Sequence, residues 1–202
     1  MLSVQQLACE RGGKRLFSDL SFTIESGQCV QVHGANGAGK TSLLRIVCGL
    51  AEAMQGRVCW RGADTRLDPG SFRAELVYLG HAPGLKDELS AAENLDFQSQ
   101  IDGCALSPLQ IETALQRVGL GRQQHLPLRR FSQGQKRRVA LARLVARPAR
   151  LWVLDEPLAA LDHAAQQLVS QLVAAHLQAD GLALVTSHQP LGVESMDLRL
   201  GA

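Results

Sequence analysis

Aromatic side chains make up only 4% of the 202 residues, too few to stack a run of bases, which argues against a single-stranded nucleic-acid partner. The five cysteines, at positions 9, 29, 48, 59 and 104, are odd in number and scattered, with no Cys-x-x-Cys pair and no Cys-x-x-Cys-His. That usage argues against a disulfide framework, a zinc site or covalent haem attachment, and fits a reducing compartment. Long apolar runs are missing too: "LWVL" stops after four residues, and "MLSVQQLACERGGKR" has no signal-peptide core. The chain is therefore expected to be soluble on its own. There is no internal repeat or low-complexity segment. With a net charge of +2, a basic coat or acidic tail is absent as well. One absence is local. Between Glu112 and Asp155 there is no acid, while Arg117, Arg122, Arg129, Arg130, Lys136, Arg137, Arg138, Arg143, Arg147 and Arg150 crowd the interval. Such a run forms either a solvated helix face or an attractor for nucleotide phosphates or a partner surface.

What is present is 46% apolar residues, enough for one sizeable core with room for a small subdomain. "CVQVHG", "ELVYL", "LWVLDE" and "LALVTSH" read as short strands. Helical patterns run from Thr41 to Cys48 before Gly49, from Pro108 to Val118 before Gly119, and from His163 to Gln178 before Gly181. Strands alternating with helices predict an α/β fold, a parallel sheet covered on both faces. Residues 83–147 contain no convincing strand and read as a helical insertion.

Three stretches carry chemistry. In "GANGAGKT", Gly34 to Thr41, a strand feeds a glycine-rich turn and then a helix, the context a P-loop needs. Gly34, Gly37 and Gly39 allow successive backbone N–H groups to converge on a phosphate, Lys40 can reach the β- and γ-phosphates, and the Thr41 hydroxyl can ligate Mg²⁺. "LWVLDEP" ends an apolar strand in Asp155, placed to hold Mg²⁺, and Glu156, placed to take a proton from an attacking water. "LVTSHQP" ends another strand in His188, where an open sheet faces its ligand. A second phosphate-like helix start lies in "FSQGQ": Ser132 and Gln135 form a Ser-x-x-Gln capping box, and Gly134 permits close approach. One nucleotide does not need two such cradles.

The order Gly34–Thr41, "FSQGQ", "LWVLDEP", "AALD" and His188 resembles the ATPase domain of ABC transporters over essentially the whole chain. The resemblance implies a P-loop NTPase (RecA-like) core with a mainly parallel sheet, a small N-terminal antiparallel β part and a helical insertion subdomain. It implies one domain over 1–202, with the nucleotide-binding core in 1–80 and 148–202 and the helical subdomain in about 83–147. ATP and Mg²⁺ are the implied cofactors. Gly34, Ala35, Asn36, Gly37, Ala38, Gly39, Lys40, Thr41 and Ser42 would form the cradle, with Thr41 and Asp155 as metal ligands and Glu156, His188 and Lys40 in catalysis. Ser132, Gly134 and Gln135 would be the signature motif and Asp162 the D-loop acid. In this family two ATPase domains pack head to tail, so that each signature helix caps the ATP in the other's P-loop. The two cradles would then belong to different nucleotides, and the chain would act as a homodimer.

Weaker marks, "YLGHAPGLKDELSAAENL", "SHQPL", the small size and the cysteine-containing start, resemble the CcmA group, the ATP-binding subunit of the bacterial haem exporter of cytochrome c maturation. That resemblance implies integral-membrane partners (CcmB/CcmC-like), a peripheral location on the cytoplasmic face of the inner membrane, and no nucleic acid. Competing readings are an energiser of another exporter, for a drug or lipid, a soluble ABC protein acting on DNA or ribosomes, and a small-molecule P-loop kinase. Three residues depart from the family pattern. Gln133 replaces a signature glycine, which is harmless if its φ is negative. No Tyr or Phe between residues 8 and 16 can stack on adenine, leaving Arg11 as the substitute. His81 falls where the Q-loop glutamine is expected.

Overall fold

A computed structural model describes residues 1–201. The chain opens with two long antiparallel strands, β1 (Leu2–Arg11) and β2 (Lys14–Ile24). β3 (Cys29–His33) then runs into α1 (Lys40–Val47). β4 (Gln55–Trp60) and β5 (Ala63–Asp64) return to the first sheet, whose order is β2-β1-β4-β5. After α2 (Pro69–Ala74) and β6 (Leu76–Leu79) come three helices with no strand between them: α3 (Ala91–Ile101), α4 (Pro108–Arg117) and α5 (Gln133–Ala146). β7 (Leu151–Asp155), α6 (His163–Gln178), β8 (Leu182–Thr186) and β9 (Met196–Arg199) complete the fold.

The second sheet has the order β6-β7-β8-β3-β9, and all its pairings are parallel. Its central strands β7 and β8 are buried along their whole length because both faces are covered, and the two-residue period sorts their side chains between two cores. Leu151, Val153, Leu182, Leu184, Val30 and Val32 pack with α1 and the antiparallel sheet. Trp152, Leu154, Ala183 and Val185 pack with α3 to α6. Leu95, Leu115 and Leu141 of the helical stretch belong to this same cluster, so that stretch is built onto the sheet rather than around a core of its own. Truncating a side chain such as Leu154, which has no exposed surface, to alanine costs about 2–5 kcal/mol.

Helix starts follow the sequence closely. Ser90, Ser107 and Ser132 each form a complete capping box with Glu93, Gln110 and Gln135, worth about 1 kcal/mol per cap. At the end of α6 the left-handed position is taken by Asp180, at φ 61°, and not by Gly181. The expected N-terminal antiparallel part is a four-stranded sheet. β1 and β2 span 10 and 11 residues, and bulges accompany Gln6 at φ 48° and Asp19 at φ 51°. No helix among the described residues is long and apolar enough to cross a membrane.

Half of the basic run is folded inward. Lys136 pairs with Asp87 at 2.6 Å, Arg138 with Asp162 at 2.9 Å, and Arg143 and Arg147 share Asp102 at 3.1 Å each. Arg137 and Arg147 are buried. Arg117, Arg122, Arg129, Arg130 and Arg150 remain exposed, so half of the run joins helices to distant acids and carbonyls.

Candidate functional site

The carboxyl ends of β6, β7, β8 and β3 lie side by side, and the loops that leave them converge on one cavity of about 650 Å³. Parallel strands place ligands at this end of the sheet. A second cavity of about 600 Å³ lies at the opposite end of α1, beside β4 and α2.

From β3 the chain enters the glycine-rich turn. Gly37 at φ 83° and Gly39 at φ 100° occupy the left-handed region. A Cβ on Gly39 would sit 3.0 Å from the Leu16 Cβ and 3.2 Å from the Phe17 ring, so both conformation and space exclude larger residues. Gly39 caps α1 without any side-chain acceptor, which leaves the first-turn N–H groups and the positive end of the helix dipole to an anion. Lys40 Nζ donates to its own loop, to the Gly34 carbonyl at 2.7 Å and the Ala35 carbonyl at 3.4 Å. An incoming phosphate is a stronger acceptor for that ammonium.

Asp155 ends β7 and is buried. Its Oδ2 accepts from Thr41 Oγ1 at 2.9 Å and its Oδ1 from Thr186 Oγ1 at 2.7 Å. A hydroxyl and a carboxylate oxygen side by side are hard donors that suit Mg²⁺, with phosphate and water filling the remaining positions. Among the described residues no cluster of three His, Cys, Asp or Glu side chains forms a self-contained metal cage. Glu156 is left-handed, φ 49°, a strained backbone for a residue with a side chain. Its N–H donates to the Thr186 carbonyl at 3.1 Å and to Thr186 Oγ1 at 3.0 Å. Its Oε2 accepts the His188 N–H at 3.3 Å. Its Oε1 is buried with no hydrogen-bond donor, under the largely exposed His188 ring, whose Nε2 lies 3.5 Å away. Once that ring moves aside, the free lone pairs can accept a proton from water.

The cavity gathers Arg11, Ala35, Asn36, Gly37, Gly39, Lys40, Thr41, Ser42, His81, Asp155, Glu156 and His188. Gly34 and Ala38 belong to the same turn but do not line it. Arg11 sits at the cavity together with Leu16, an apolar wall that the absence of a ring near residue 11 had obscured. Ser132, Gly134, Gln135 and Asp162 lie outside it. Their side chains have local employment. Ser132 Oγ accepts from Gln135 N–H at 3.2 Å, and Gln135 Oε1 accepts from Ser132 N–H at 2.8 Å. Asp162 caps α6 through Ala165 N–H at 2.8 Å and pairs with Arg138. These contacts, the Ala165 N–H foremost, hold its carboxyl below the usual range. A Cβ on Gly134 would lie 3.3 Å from the Ala160 carbonyl. Gln133 opens α5 and is not among the positive-φ residues, which removes the objection to its replacing a glycine.

Two site residues escaped sequence reasoning. Thr186 touches both acids, and a strand-end hydroxyl two positions before His188 was its one available sign. Arg137, on α5, sends its guanidinium to the backbone behind Asp155 and Glu156. Burial pulls its pKa down, against the opposing charges of Asp155 and Glu156. Within the basic run nothing distinguished it from its neighbours.

A family profile described as ABC transporter matches residues 17–159. The cytochrome c biogenesis ATP-binding export protein CcmA of Methylococcus capsulatus is 48% identical over 192 residues, covering 95% of this chain and 93% of the relative. Among solved structures, an ATP-binding subunit of an ABC transporter superposes with a TM-score of 0.85 at 24% identity, over 100% of this chain and 88% of its own. An ATP-binding cassette solved as a dimer in a post-hydrolysis state with ADP and phosphate gives 0.82 at 21% identity, over 94% and 88%.

Proposed function

The chain belongs to the ABC transporter family, and from that premise we propose that it is the ATP-hydrolysing subunit that powers haem export during assembly of c-type cytochromes. The observation that carries the reading is the joint geometry of the uncapped helix start at Gly39, the Thr41–Asp155 pair and the left-handed Glu156 around one cavity, in a chain whose 48% identical relative carries a cytochrome c biogenesis export name.

ATP places its β- and γ-phosphates on the first turn of α1, and Lys40 leaves the Gly34 carbonyl for them. Thr41 and Asp155 would hold Mg²⁺, whose charge would offset that of the phosphates. Glu156 takes a proton from a water as its oxygen attacks the γ-phosphorus. The bond to the β,γ-bridging oxygen breaks, giving ADP and phosphate. Thr186 holds both acids in register. His188 covers Glu156 and contacts the γ-phosphate, and His81 stands at the same cavity in the place of the family's Q-loop glutamine. Arg11 with Leu16 receives the adenine.

The second helix start serves a second copy. Two chains pack head to tail, and the free N–H groups of Gln133 and Gly134, with Ser132, Gln135 and Asp162 beside them, close on the ATP of the partner. The dimer works on the cytoplasmic face of the inner membrane with integral-membrane subunits of the CcmB/CcmC kind, which choose the cargo.

Deleting the gene tests the assignment to haem export. Holocytochrome c is expected to disappear while b-type cytochromes, whose haem is not covalently attached, remain. Normal c-type cytochromes in a strain with no second copy would contradict it.

A further inference from the structure

We propose that Arg137 is a positioning residue, which sets the catalytic Glu156 of its own nucleotide site from the helix whose start serves the partner's nucleotide. The inference rests on the paired-site reading above and extends it to what passes between the two sites.

The Arg137 guanidinium makes four hydrogen bonds, all to main-chain carbonyls. Nη1 donates to Gly80 at 3.0 Å and to His81 at 3.3 Å. Nη2 donates to Asp155 at 3.0 Å and to Glu156 at 2.7 Å. The acceptors are two consecutive pairs, at the carboxyl ends of the adjacent strands β6 and β7 where their loops begin. Arg137 is 5% exposed, and among the described residues its guanidinium forms no ion pair within 4.0 Å. Its Nε is buried without a partner. Burying a cation whose hydrogen bonds all go to neutral acceptors is costly even with the charges of Asp155 and Glu156 nearby. What the arginine adds is a planar fork that fixes two loops against each other.

Those loops hold His81 and the proposed base. The strained Glu156 backbone is gripped on both sides, its N–H by Thr186 and its carbonyl by Arg137. The direction of the carboxylate therefore depends on where α5 stands. Arg137 lies five residues beyond Ser132, about 7.5 Å along a rigid helix at 1.5 Å per residue. When the start of α5 closes on the partner's ATP, any shift of the helix reaches Glu156 and His81 of its own site through one side chain. Each site is thereby informed that the other is filled.

Arg137→Lys tests this, because a single ammonium cannot bridge both carbonyl pairs. Arg147→Lys is the control. Arg147 caps the far end of the same helix, is 8% exposed, and pairs with Asp102 while donating to the Arg73 and Ala74 carbonyls away from the site. The expected result is a fall in kcat of about tenfold or more for Arg137→Lys with ATP affinity within about twofold of wild type. Arg147→Lys should lose comparable thermal stability and keep kcat within about twofold. Unchanged kcat in Arg137→Lys, or equal loss in the control, overturns the proposal.

Mixing then separates the base from the helix start. Arg137→Lys with Ser132→Arg should recover activity, because the Ser132→Arg chain keeps an intact base and the Arg137→Lys chain an intact helix start. Arg137→Lys with Lys40→Ala should not rise above Arg137→Lys alone. The reverse pattern would place the action of Arg137 at the helix start and refute the proposal. Ser132→Arg mixed with Lys40→Ala examines the pairing itself. If that pair alone fails to recover, head-to-tail pairing is wrong, and the kcat-against-affinity split of Arg137→Lys still decides the positioning role. Should Arg137→Lys fail to fold, Arg137→Gln, whose amide can reach one carbonyl pair, is measured in its place with the same outcomes.

Discussion

The starts of α1 and α5 are two solutions to one problem, the unsatisfied N–H groups that open every helix. At α1 the cap is a left-handed glycine with no side-chain acceptor, and the first turn faces a cavity containing Lys40 and both acids. At α5 the cap is a complete Ser132–Gln135 box, which satisfies the third N–H, and the exposed start has no such cavity around it. The first is incomplete without an anion. The second is stable as it stands and has two free N–H groups to offer. The difference teaches which end holds a nucleotide first and which can join later, from another chain, without unfolding when released.

Substitutions at the first helix start and its acids should have the largest effects. Glu156→Gln removes the proton acceptor, and kcat should fall about 10²–10⁴-fold with ATP affinity retained, as read by steady-state hydrolysis and nucleotide binding. Lys40→Ala should reduce kcat/KM about 10²–10³-fold and weaken ATP binding as well. Ser132→Arg should separate the two helix starts: hydrolysis is lost while a single chain binds ATP with its original affinity, and weakened binding in the isolated chain would break the comparison. Thr186→Val removes the hydroxyl shared by Asp155 and Glu156. A hydrogen bond to a charged group is worth about 1.5–3 kcal/mol, so kcat should fall roughly tenfold or more.

The smallest effect concerns a residue remote from both helix starts. His176 stacks on Trp152 with ring centroids 3.9 Å apart, and burial pushes its pKa down despite its contact with the Leu182 carbonyl. The unfolded state then binds more protons than the folded one below about pH 6.5, the ordinary histidine value. Stability from this residue is present above that pH and lost as pH falls through it. His176→Gln should flatten the acid-side decline of Tm by a few degrees, about 2–4 °C per kcal/mol for a chain of this size, without altering ATP affinity at pH 7.5. Parallel Tm curves for the two proteins between pH 7.5 and 5.5 would remove His176 from that role.

What the sequence revealed depended on how local the determinant was. Gly34 to Thr41 is legible because strand, turn and helix start are contiguous, and Asp155 and Glu156 are legible as acids ending an apolar strand. Ser132 and Gln135 were recognisable as a cap for the same reason, yet their distance from the P-loop cavity was a tertiary fact. β1 and β2 were expected from the family resemblance and not from their own pattern, because bulges at Gln6 and Asp19 break the alternation that marks a strand. The basic run looked like a surface because its acidic partners, Asp87, Asp102 and Asp162, come from outside it. Arg137 was hidden by the same circumstance, since carbonyls carry no sequence signal.

Dimer formation by Glu156→Gln, measured by light scattering after gel filtration with ATP and Mg²⁺, tests the central claim most directly: that the two helix starts belong to one nucleotide site only when two chains meet. With ATP trapped, the protein should elute at twice its 21.8 kDa, and adding Ser132→Arg should return it to one chain with ATP still bound. A monomer with ATP bound in Glu156→Gln, or a dimer indifferent to Ser132→Arg, would contradict the account.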